Sequence, residues 1–397
     1  MIRIKSFRDE DLKNKIVLLR TDYNVPTNDK VVVDTTRIDE SIPTIDALLK
    51  MGAKIIIITH RGRPKGKIDI SLSMEPIARE LEKRIKKDVK FINRLDEDIT
   101  NYREEVFLFE NLRFFPEEEL NDNKFAKELS GMGHVYVNDA FSASHRKHAS
   151  LSGIPKFLPS FFGLCMEKEI LALDDAFSHP ISPVVAIIGG SKISTKIQLL
   201  DSLIRNVDKI IIGGAMANTF LKATSSNIGA SLFEKSCVSI AIDIINKAKM
   251  NNVKLVLPVD ARVAKKLGDS PNAKNKMLDE IEIDDMILDL GIESSKIILE
   301  EISDANTVIW NGPLGAIEYK PFDQSTVTVA KELALRCKDT NSKVVIGGGD
   351  TIYGINIAGT YEDYTHVSTG GGAFLQWLEG MDLPAVKAIL NSINGMQ

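Results

Sequence analysis

Residues 184–200, VVAIIGGSKISTKIQLL, contain the pattern that decides the fold. The apolar run 184–188 is rich in β-branched residues and predicts a buried strand, which ends at a pair of glycines. The segment after the glycines predicts a helix with Lys192 and Lys196, four residues apart, on one face. Strand, glycine turn and helix in this order are typical of a parallel sheet covered by helices.

The same alternation runs along the whole chain. Short β-rich runs predict strands at 16–19, 54–59, 106–109, 135–137, 184–188, 209–212, 254–257, 307–310 and 343–346. One predicted helix has an apolar stripe that ends before Gly52, and another follows Ser73. Their apolar positions are Ile38, Ile42, Ile45 and Leu49 in the first, and Ile77, Leu81 and Ile85 in the second. The chain is therefore predicted to be an α/β protein with parallel sheets.

Length and glycine content indicate two domains. A chain of 397 residues is long for one ordinary core. Seven of the 26 glycines lie in residues 1–180 and the other 19 in 181–397, so the two halves differ in composition. Between them, CMEKEILALDDAFSHPISP (165–183) predicts a charged helix that ends at Pro180 and Pro183 and connects the domains.

Charge and cysteine content exclude several classes of protein. The net charge is −5, so nothing global favours nucleic acid or an anionic membrane as a partner. The three cysteines are far apart and form no CxxC, which argues against a disulfide framework or a structural zinc site. The sequence has neither a signal-peptide pattern nor an apolar run of about 18 residues. We expect a cytoplasmic protein that binds neither nucleic acid nor membrane.

Basic residues follow the predicted strands of the first half. The segments are RTDYNVP (20–26), THRGRP (59–64), ENLRF (110–114) and NDAFSASHR (138–146). Parallel strands present their carboxyl ends at one edge, so these side chains and the first helix are expected to converge there. Any one arginine could equally be a solvated surface charge, but the set predicts a site for a small carboxylate or phosphate ligand. The set is Arg37, His60, Arg63, Arg113, His145 and Arg146, with Asp22 and Asn24 available to hydroxyl groups.

Glycines follow the predicted strands of the second half. The turns are IIGGSK (187–192), IIGGAM (211–216), IWNGPLG (309–315), VIGGGDT (345–351) and VSTGGGA (367–373). Glycine lets backbone N–H groups approach phosphate oxygens, so five such turns predict a nucleotide site. Asp350 is either a magnesium ligand or a helix N-cap. Neither a GxxxxGK[ST] P-loop nor a strand-linked GxGxxG is present, which disfavours P-loop NTPases and dehydrogenases.

Taken in order, these segments closely resemble phosphoglycerate kinases, from about residue 16 to residue 380. The resemblance extends to LPVD and to WNGPLGAIE. It implies two Rossmann-like three-layer αβα domains whose parallel sheets face each other across a cleft and close during the reaction. Residues 1–168 with about 384–397 would bind phosphoglycerate, 169–183 would be the connecting helix or hinge, and 184–383 would bind the nucleotide.

Motif matching assigns the site residues that the resemblance implies. Phosphoglycerate would be bound by Asp22, Tyr23, Asn24, Arg37, His60, Arg61, Gly62, Arg63, Arg113, His145 and Arg146. The nucleotide would be bound by Gly190, Lys192, Lys196, Gly213, Gly214, Asn311, Glu318, Gly348, Gly349, Asp350 and Thr351. Arg37, Lys192 and Lys196 would be catalytic, Glu318 would bind the ribose, and Asp350 would hold Mg²⁺. The chain departs from the family pattern at Ser142, Ser191 and Ile287, the last of these near the adenine.

The resemblance also implies the reaction. The chain would be a monomer that transfers phosphoryl reversibly between 1,3-bisphosphoglycerate with ADP and 3-phosphoglycerate with ATP, in a Mg²⁺-dependent step of glycolysis. Two other hypotheses remain open: a binding protein that keeps the fold without activity, and a kinase of similar architecture for another metabolite.

Overall fold

A computed structural model describes residue 4 and residues 6–340 and 342–394. The chain forms two compact units. The first unit holds the described residues up to Leu171 together with those from Asp382 onward, and the second unit is Ala172–Met381. Within the described ranges, no helix combines the length and the apolar character needed to cross a membrane.

The first unit is built on a parallel sheet of six strands in the order β5-β6-β4-β1-β7-β8. Its apolar strands, such as KIIII in β4, are almost wholly buried, as expected for a sheet covered on both faces. A two-stranded antiparallel hairpin, β2 and β3, lies outside this sheet. The strands are β1 (Ile16–Arg20), β2 (Thr27–Asn28), β3 (Val31–Val32), β4 (Lys54–Ile58), β5 (Val89–Ile92), β6 (Val106–Phe109), β7 (Val135–Asn138) and β8 (Ser160–Phe162).

Five helices accompany these strands along the chain. The two helices predicted from apolar stripes are confirmed. Ile38 and Ile45 of α1 are buried in the core of the first unit, as are Ile77 and Leu81 of α2. The predicted stripe residue Leu49 is partly buried against the same core. The helices are α1 (Thr36–Lys50), α2 (Glu75–Ile85), α3 (Pro116–Glu119), α4 (Asn123–Ser130) and α5 (Leu164–Leu173). The predicted connector 169–183 contains the end of α5 and a π-helical turn, Asp174–Ser178.

The second unit holds a second parallel sheet of six strands, in the order β11-β10-β9-β15-β16-β17. An antiparallel sheet of three strands, in the order β13-β12-β14, is separate from it. The strands are β9 (Val184–Ile188), β10 (Lys209–Ile212), β11 (Lys254–Val256), β12 (Asp260–Ala264), β13 (Lys274–Met277), β14 (Met286–Leu290), β15 (Thr307–Asn311), β16 (Lys343–Gly347) and β17 (His366–Ser368).

The helices of the second unit alternate with these strands. They are α6 (Ile197–Leu203), α7 (Gly214–Ala223), α8 (Val238–Met250), α9 (Ile292–Ile302), α10 (Gln324–Thr340), α11 (Gly349–Ala358) and α12 (Gly372–Leu378). The core between sheet and helices contains Trp310, Leu333 and Ile346. The predicted α/β class with two Rossmann-like units, each built on a parallel sheet flanked by helices, is confirmed.

The last helix, α13 (Pro384–Asn394), belongs to the first unit. It packs against β8 and the π-helical turn Ala149–Gly153. The N–H of Ala385 donates to the carbonyl of Ser144 over 3.1 Å, which anchors the start of the helix. The sequence analysis extended this segment to residue 397, and residues 395–397 lie outside the described part of the chain.

Candidate active site

Asp22 is the centre of the polar cluster in the first unit. It follows β1, and its Oδ2 accepts hydrogen bonds from Arg37 Nη1 at 2.7 Å and from the hydroxyl of Ser142. Its Oδ1 accepts from the N–H of Asn24 at 3.1 Å and lies 3.8 Å from His60 Nδ1. Burial raises the pKa of Asp22, but His60, Arg37 and the Ser142 hydroxyl outweigh it and lower the pKa to about 2. Asp22 is therefore an anion that orients Arg37.

Arg113 is a buried cation, and two of its nitrogen atoms donate no hydrogen bond to the described residues. Its Nη1 donates to the carbonyl of Gly62 at 2.6 Å, but Nε and Nη2 have no hydrogen-bond partner among the described residues. The carboxylate of Glu119 lies 3.4 Å from Nε. Burial and the neighbouring Arg146 lower the pKa of Arg113 to about 10, so the side chain stays charged at neutral pH. Buried donors without partners are costly, and an anionic ligand would satisfy them.

Two loops at this edge are joined to each other, because Asn24 Oδ1 accepts from the N–H of Gly62 at 2.9 Å. His60 is buried beside them, and burial lowers its pKa well below the usual range. Burial, followed by the charge of Arg146, also lowers the pKa of His145. His145 Nδ1 has no hydrogen-bond partner within the described part of the chain. Both rings are therefore neutral at pH 7.

Two predicted substrate residues are used inside the protein. Tyr23 lies in the hydrophobic core, where its hydroxyl is 2.6 Å from Ser41 Oγ. Arg61 donates to the carbonyls of Ser71 and Ser73 and to Thr27, so it holds its own loop in place. Arg63 is exposed and Arg146 half-buried. The remaining predicted residues of this set follow β1, β4, β6 and β7, except Arg37, which lies at the start of α1 and contacts Asp22.

Three of the five glycine turns of the second unit, at 187–192, 309–315 and 345–351, line a common cavity, whereas no described residue of 211–216 or 367–373 lines it. A Cβ on Gly189 would overlap the carbonyl of Pro313, so the turns after β9 and β15 touch. The cavity has a volume of about 380 Å³. Four predicted segments line it: Gly190, Ser191 and Lys192 after β9; Lys196; Asn311, Gly312 and Pro313 after β15; and Gly348, Gly349, Asp350 and Thr351 after β16.

Lys196 is held at this cavity by Asn311. Its Nζ donates to Asn311 Oδ1, while Asn311 Nδ2 donates to the carbonyl of Gly347 at 2.7 Å. Burial lowers the pKa of Lys196 to about 8, against the opposing effect of Glu379 and Asp350. The prediction that Lys192 and Lys196 share a helix face is wrong. The two lysines flank a 3-10 turn, Ile193–Thr195, and α6 begins only at Ile197.

The first turn of α11 lines the same cavity. Gly348 has φ of +102°, which favours glycine, and it is the N-cap of the helix. The interpretation of Asp350 as an N-cap is therefore wrong, and its exposed carboxylate lines the cavity. Thr351 is buried. Its Oγ1 accepts a hydrogen bond from the N–H of Gly312 at 2.7 Å and donates one to the carbonyl of Gly347 at 3.1 Å.

A second, apolar cavity of about 330 Å³ adjoins the first and shares Gly190, Ser191, Pro313 and Asp350 with it. Its lining includes Gly214, Ile287, Leu288, Leu314 and Glu318, whereas Gly213 lines neither cavity. An apolar cavity next to a polar, glycine-lined cavity suits a nucleotide, which has a flat apolar base at one end and phosphates at the other.

Asp289, a buried carboxyl in the lining of the apolar cavity, was not predicted from the sequence. It accepts hydrogen bonds from both the N–H and the hydroxyl of Ser325. Burial raises its pKa to about 7, although Ser325 and Arg262 lower it. A single acid within the apolar strand MILDL was the available signal. Ser142 was noted only as a departure from a pattern, and its contact with Asp22 was missed.

The acidic group Glu282, Asp284 and Asp285 has carboxylates close enough to hold a cation. It directly precedes Met286 of the apolar cavity in sequence, but none of its three residues lines either cavity, and Lys265 and Lys276 form ion pairs with it. We assign it no metal role.

The sequence profile of phosphoglycerate kinases matches residues 7–381. This chain belongs to the phosphoglycerate kinase family. A phosphoglycerate kinase of Caulobacter vibrioides is 45% identical over 385 residues, which are 96% of this chain and 97% of that protein. A phosphoglycerate kinase of Rhodopseudomonas palustris is 45% identical over 394 residues, covering 97% of this chain and 99% of its own length.

Solved structures of phosphoglycerate kinases agree with the fold. The enzyme of Coxiella burnetii superposes with a TM-score of 0.92 at 37% identity, covering 98% of this chain and 99% of its own. That of Pyrococcus horikoshii gives 0.82 at 30% identity with the same coverage. The family predicted from the ordered motifs is confirmed, and with it the class of enzyme, a phosphotransferase with a carboxyl group as acceptor.

Proposed function

We propose that the chain transfers a phosphoryl group reversibly between 1,3-bisphosphoglycerate and ADP, forming 3-phosphoglycerate and ATP. The observation that carries this proposal is the cavity formed by the glycine turns, Lys196 and the amino terminus of α11, next to an apolar cavity. Backbone N–H groups, a helix dipole and an ammonium group suit phosphate oxygens, and the apolar walls suit a base. We also propose that the protein acts as a monomer in the cytoplasm, as the sequence analysis expects.

The first unit is proposed to bind the acid. Two buried donor atoms of Arg113 have no hydrogen-bond partner among the described residues, and Arg37 is oriented by Asp22, so both can bind an oxyanion. The neutral His60 and the exposed amide of Asn24 would complete the contacts to phosphate, carboxylate and hydroxyl. Tyr23 and Arg61 would contribute only through their backbone, because their side chains are engaged inside the unit.

The second unit is proposed to bind the nucleotide. Lys192, Lys196, Gly190 and the turn Gly348–Gly349 would contact the phosphates, and Glu318 the ribose hydroxyls. The base would enter the apolar cavity beside Ile287 and Leu314. Gly213 would act by packing, because a Cβ there would overlap the side chain of Leu314.

Asp350 fits the proposed magnesium role. Mg²⁺ is commonly held by one or two carboxylates together with phosphate oxygens. The carboxylate of Asp350 is exposed and lines both cavities, and it does not cap α11. A Mg²⁺ ion that accompanies the nucleotide would neutralise negative charge on its phosphates.

The proposed reaction is a direct displacement. The carboxylate oxygen of 3-phosphoglycerate bonds to the γ-phosphorus of ATP as the bond to the ADP oxygen breaks, so no proton is transferred. The nucleophile is already ionised, and we assign no general base. Arg37, Lys192 and Lys196 would stabilise the charge of the transferred group. Because acid and nucleotide are proposed to bind different units, transfer requires a state in which the carboxylate oxygen approaches the γ-phosphorus to about 3 Å.

A coupled assay with ADP and 1,3-bisphosphoglycerate tests the proposed reaction directly, with ATP formation as the readout. Turnover on this pair supports the proposal. Binding of both ligands without turnover would favour the non-catalytic binding protein. Turnover on acetyl phosphate but not on 1,3-bisphosphoglycerate would favour a kinase for another metabolite.

Replacing Asp350 with asparagine is expected to weaken binding of ADP about tenfold or more in the presence of Mg²⁺, because a metal carboxylate is lost. Isothermal titration calorimetry with and without Mg²⁺ measures this effect. Without Mg²⁺ the variant and the unmodified chain should bind ADP alike, and both should bind 3-phosphoglycerate equally. Equal loss of affinity for the two ligands would contradict the metal role.

The affinity for ADP is expected to fall about tenfold between pH 7.5 and pH 9.5. The pKa of free Lys196 is about 8, so the ammonium that would contact phosphate is lost as the pH rises through that value. A bound phosphate raises this pKa, and binding therefore takes up a proton at high pH. A Lys196→Arg variant keeps its charge and should bind ADP with little pH dependence over this range. The same steep loss in that variant would disprove the assignment.

A further inference from the structure

We propose that Arg20 is a positioning residue that holds the ring of His60 neutral with its proton on Nε2, so that His60 donates a hydrogen bond to the bound acid. Arg20 was not among the predicted site residues. The inference rests on the proposed function, since it specifies how one residue of the acid site works.

Arg20 is the last residue of β1 and has no exposed surface. All three of its nitrogens are engaged. Nε donates to Ser150 Oγ at 2.9 Å, Nη1 donates to the carbonyl of Thr21, and Nη2 lies 3.1 Å from His60 Nδ1. Arg20 is therefore fixed in the interior and does not contact a ligand directly.

The contact with His60 determines where the ring proton is. A guanidinium group has only donors, so the imidazole nitrogen that faces it at 3.1 Å must be an acceptor. The other candidate partner of Nδ1 is Asp22 Oδ1, which would require a proton on Nδ1. It lies 3.8 Å away, which is too far for a hydrogen bond. The proton of the neutral ring is therefore on Nε2.

Hydrogen bonds through Ser150 to the buried carboxyl group of Glu118 keep Arg20 in this orientation. The hydroxyl oxygen of Ser150 accepts a hydrogen bond from Arg20, and the same hydroxyl donates one to Glu118 Oε1 at 2.6 Å. The N–H of Ser150 donates to Glu118 Oε2 at 2.9 Å. Glu118 has no exposed surface. Tyr136 donates to the carbonyl of Ser150 at 2.6 Å and fixes the same turn. Consecutive hydrogen bonds, each with a defined donor, thus connect Glu118 through Ser150 and Arg20 to His60.

The charges around His60 also favour the neutral ring. Burial lowers its pKa most, and the cations Arg20, Arg113 and Arg146 lower it further. Asp22 alone among these neighbours raises it. Removing Arg20 would leave Asp22 as the dominant neighbour of Nδ1. The proton of the neutral ring should then move to Nδ1, or the pKa of His60 should rise so that the ring stays an imidazolium up to a higher pH.

Nitrogen NMR of histidine-labelled, ligand-free protein between pH 5 and pH 8 tests this proposal, with a His60→Gln variant to assign the signals. Wild-type His60 is expected to show an unprotonated Nδ1 and a protonated Nε2 throughout. The double variant Arg20→Met/Glu118→Gln removes the buried cation and its counter-charge together. It should show a protonated Nδ1, a KM for 3-phosphoglycerate raised about tenfold, and a KM for ATP within twofold of the wild type. Glu118→Gln alone is the matched control: it keeps Arg20 and a side-chain oxygen that can accept from the Ser150 hydroxyl, so it should retain the wild-type ring signals.

A proton on Nδ1 in the wild type, or unchanged ring signals in the double variant, would overturn the proposal. Altered ring signals with an unchanged KM for 3-phosphoglycerate would overturn the positioning role. The wild-type spectrum needs no variant, so a double variant that does not fold still leaves the proposed proton position open to refutation. Lack of turnover in the wild type would instead refute the proposed reaction, which the ring signals do not test.

Discussion

Replacing Arg37 with alanine is expected to lower turnover by about three orders of magnitude, as loss of an arginine that stabilises a phosphoryl transition state can do. Arg37 lies at the start of α1 and donates to Asp22 Oδ2 at 2.7 Å, so its guanidinium is already oriented in the ligand-free protein. Its side chain is about one-third exposed, with 36% of its surface accessible, and can therefore reach a ligand. Steady-state kinetics in the direction of ATP formation measure the effect.

The matched control for this prediction is Arg79→Ala. Arg79 is an exposed arginine of α2 in the same unit that pairs with Glu75, four residues earlier, and its loss should leave turnover unchanged. Thermal unfolding of both variants checks that the fold is intact. An Arg37→Ala protein with near-normal turnover would refute the proposed catalytic role.

Replacing Lys196 with methionine is expected to lower turnover by about two to three orders of magnitude, comparable to the loss of one preorganised donor at a developing charge. Its Nζ is held by Asn311, which is itself fixed by the carbonyl of Gly347, so the ammonium group is positioned before the nucleotide binds. Methionine keeps much of the side-chain length and removes the charge. Coupled-assay kinetics at saturating ADP separate this loss from weaker binding.

Lys222→Met is the control for the lysine variant. Lys222 is an exposed lysine on α7 of the same unit, outside the linings of both cavities. The control should retain full turnover. If Lys196→Met and Lys222→Met have the same modest effect, Lys196 is a surface charge and takes no part in the reaction.

The central strands of both sheets were predictable from the sequence because they are continuous apolar runs. Segments such as IVLLR in β1 and VVAII in β9 are buried along nearly their whole length, and few other structures accommodate such runs. The edge strand β17 was not predicted, since its three residues carry little pattern. The strand β13, KNKM, was missed because its residues are exposed or half-buried and polar, and only its neighbour β12 makes it a strand.

The positions of the site residues were predictable because parallel strands bring their carboxyl ends to one edge. How each side chain is used was not. Tyr23 and Arg61 lie within site motifs, yet core packing and loop carbonyls engage them. Arg20 also lies within a site motif, RTDYNVP, but it was not predicted as a site residue, and it contacts His60 because β1 and β4 are paired neighbours. Such contacts depend on register and rotamer, which local sequence does not specify.

Calorimetric titration of 3-phosphoglycerate and of ADP with Mg²⁺ into three proteins tests most directly whether the two units bind unlike ligands. The proteins are the unmodified chain, Arg37→Ala and Lys196→Met. Arg37→Ala should lose affinity for 3-phosphoglycerate at least tenfold and bind ADP normally, while Lys196→Met should show the opposite pattern. Loss of both ligands in each variant, or the reverse assignment, would contradict the division of binding between the first and second units.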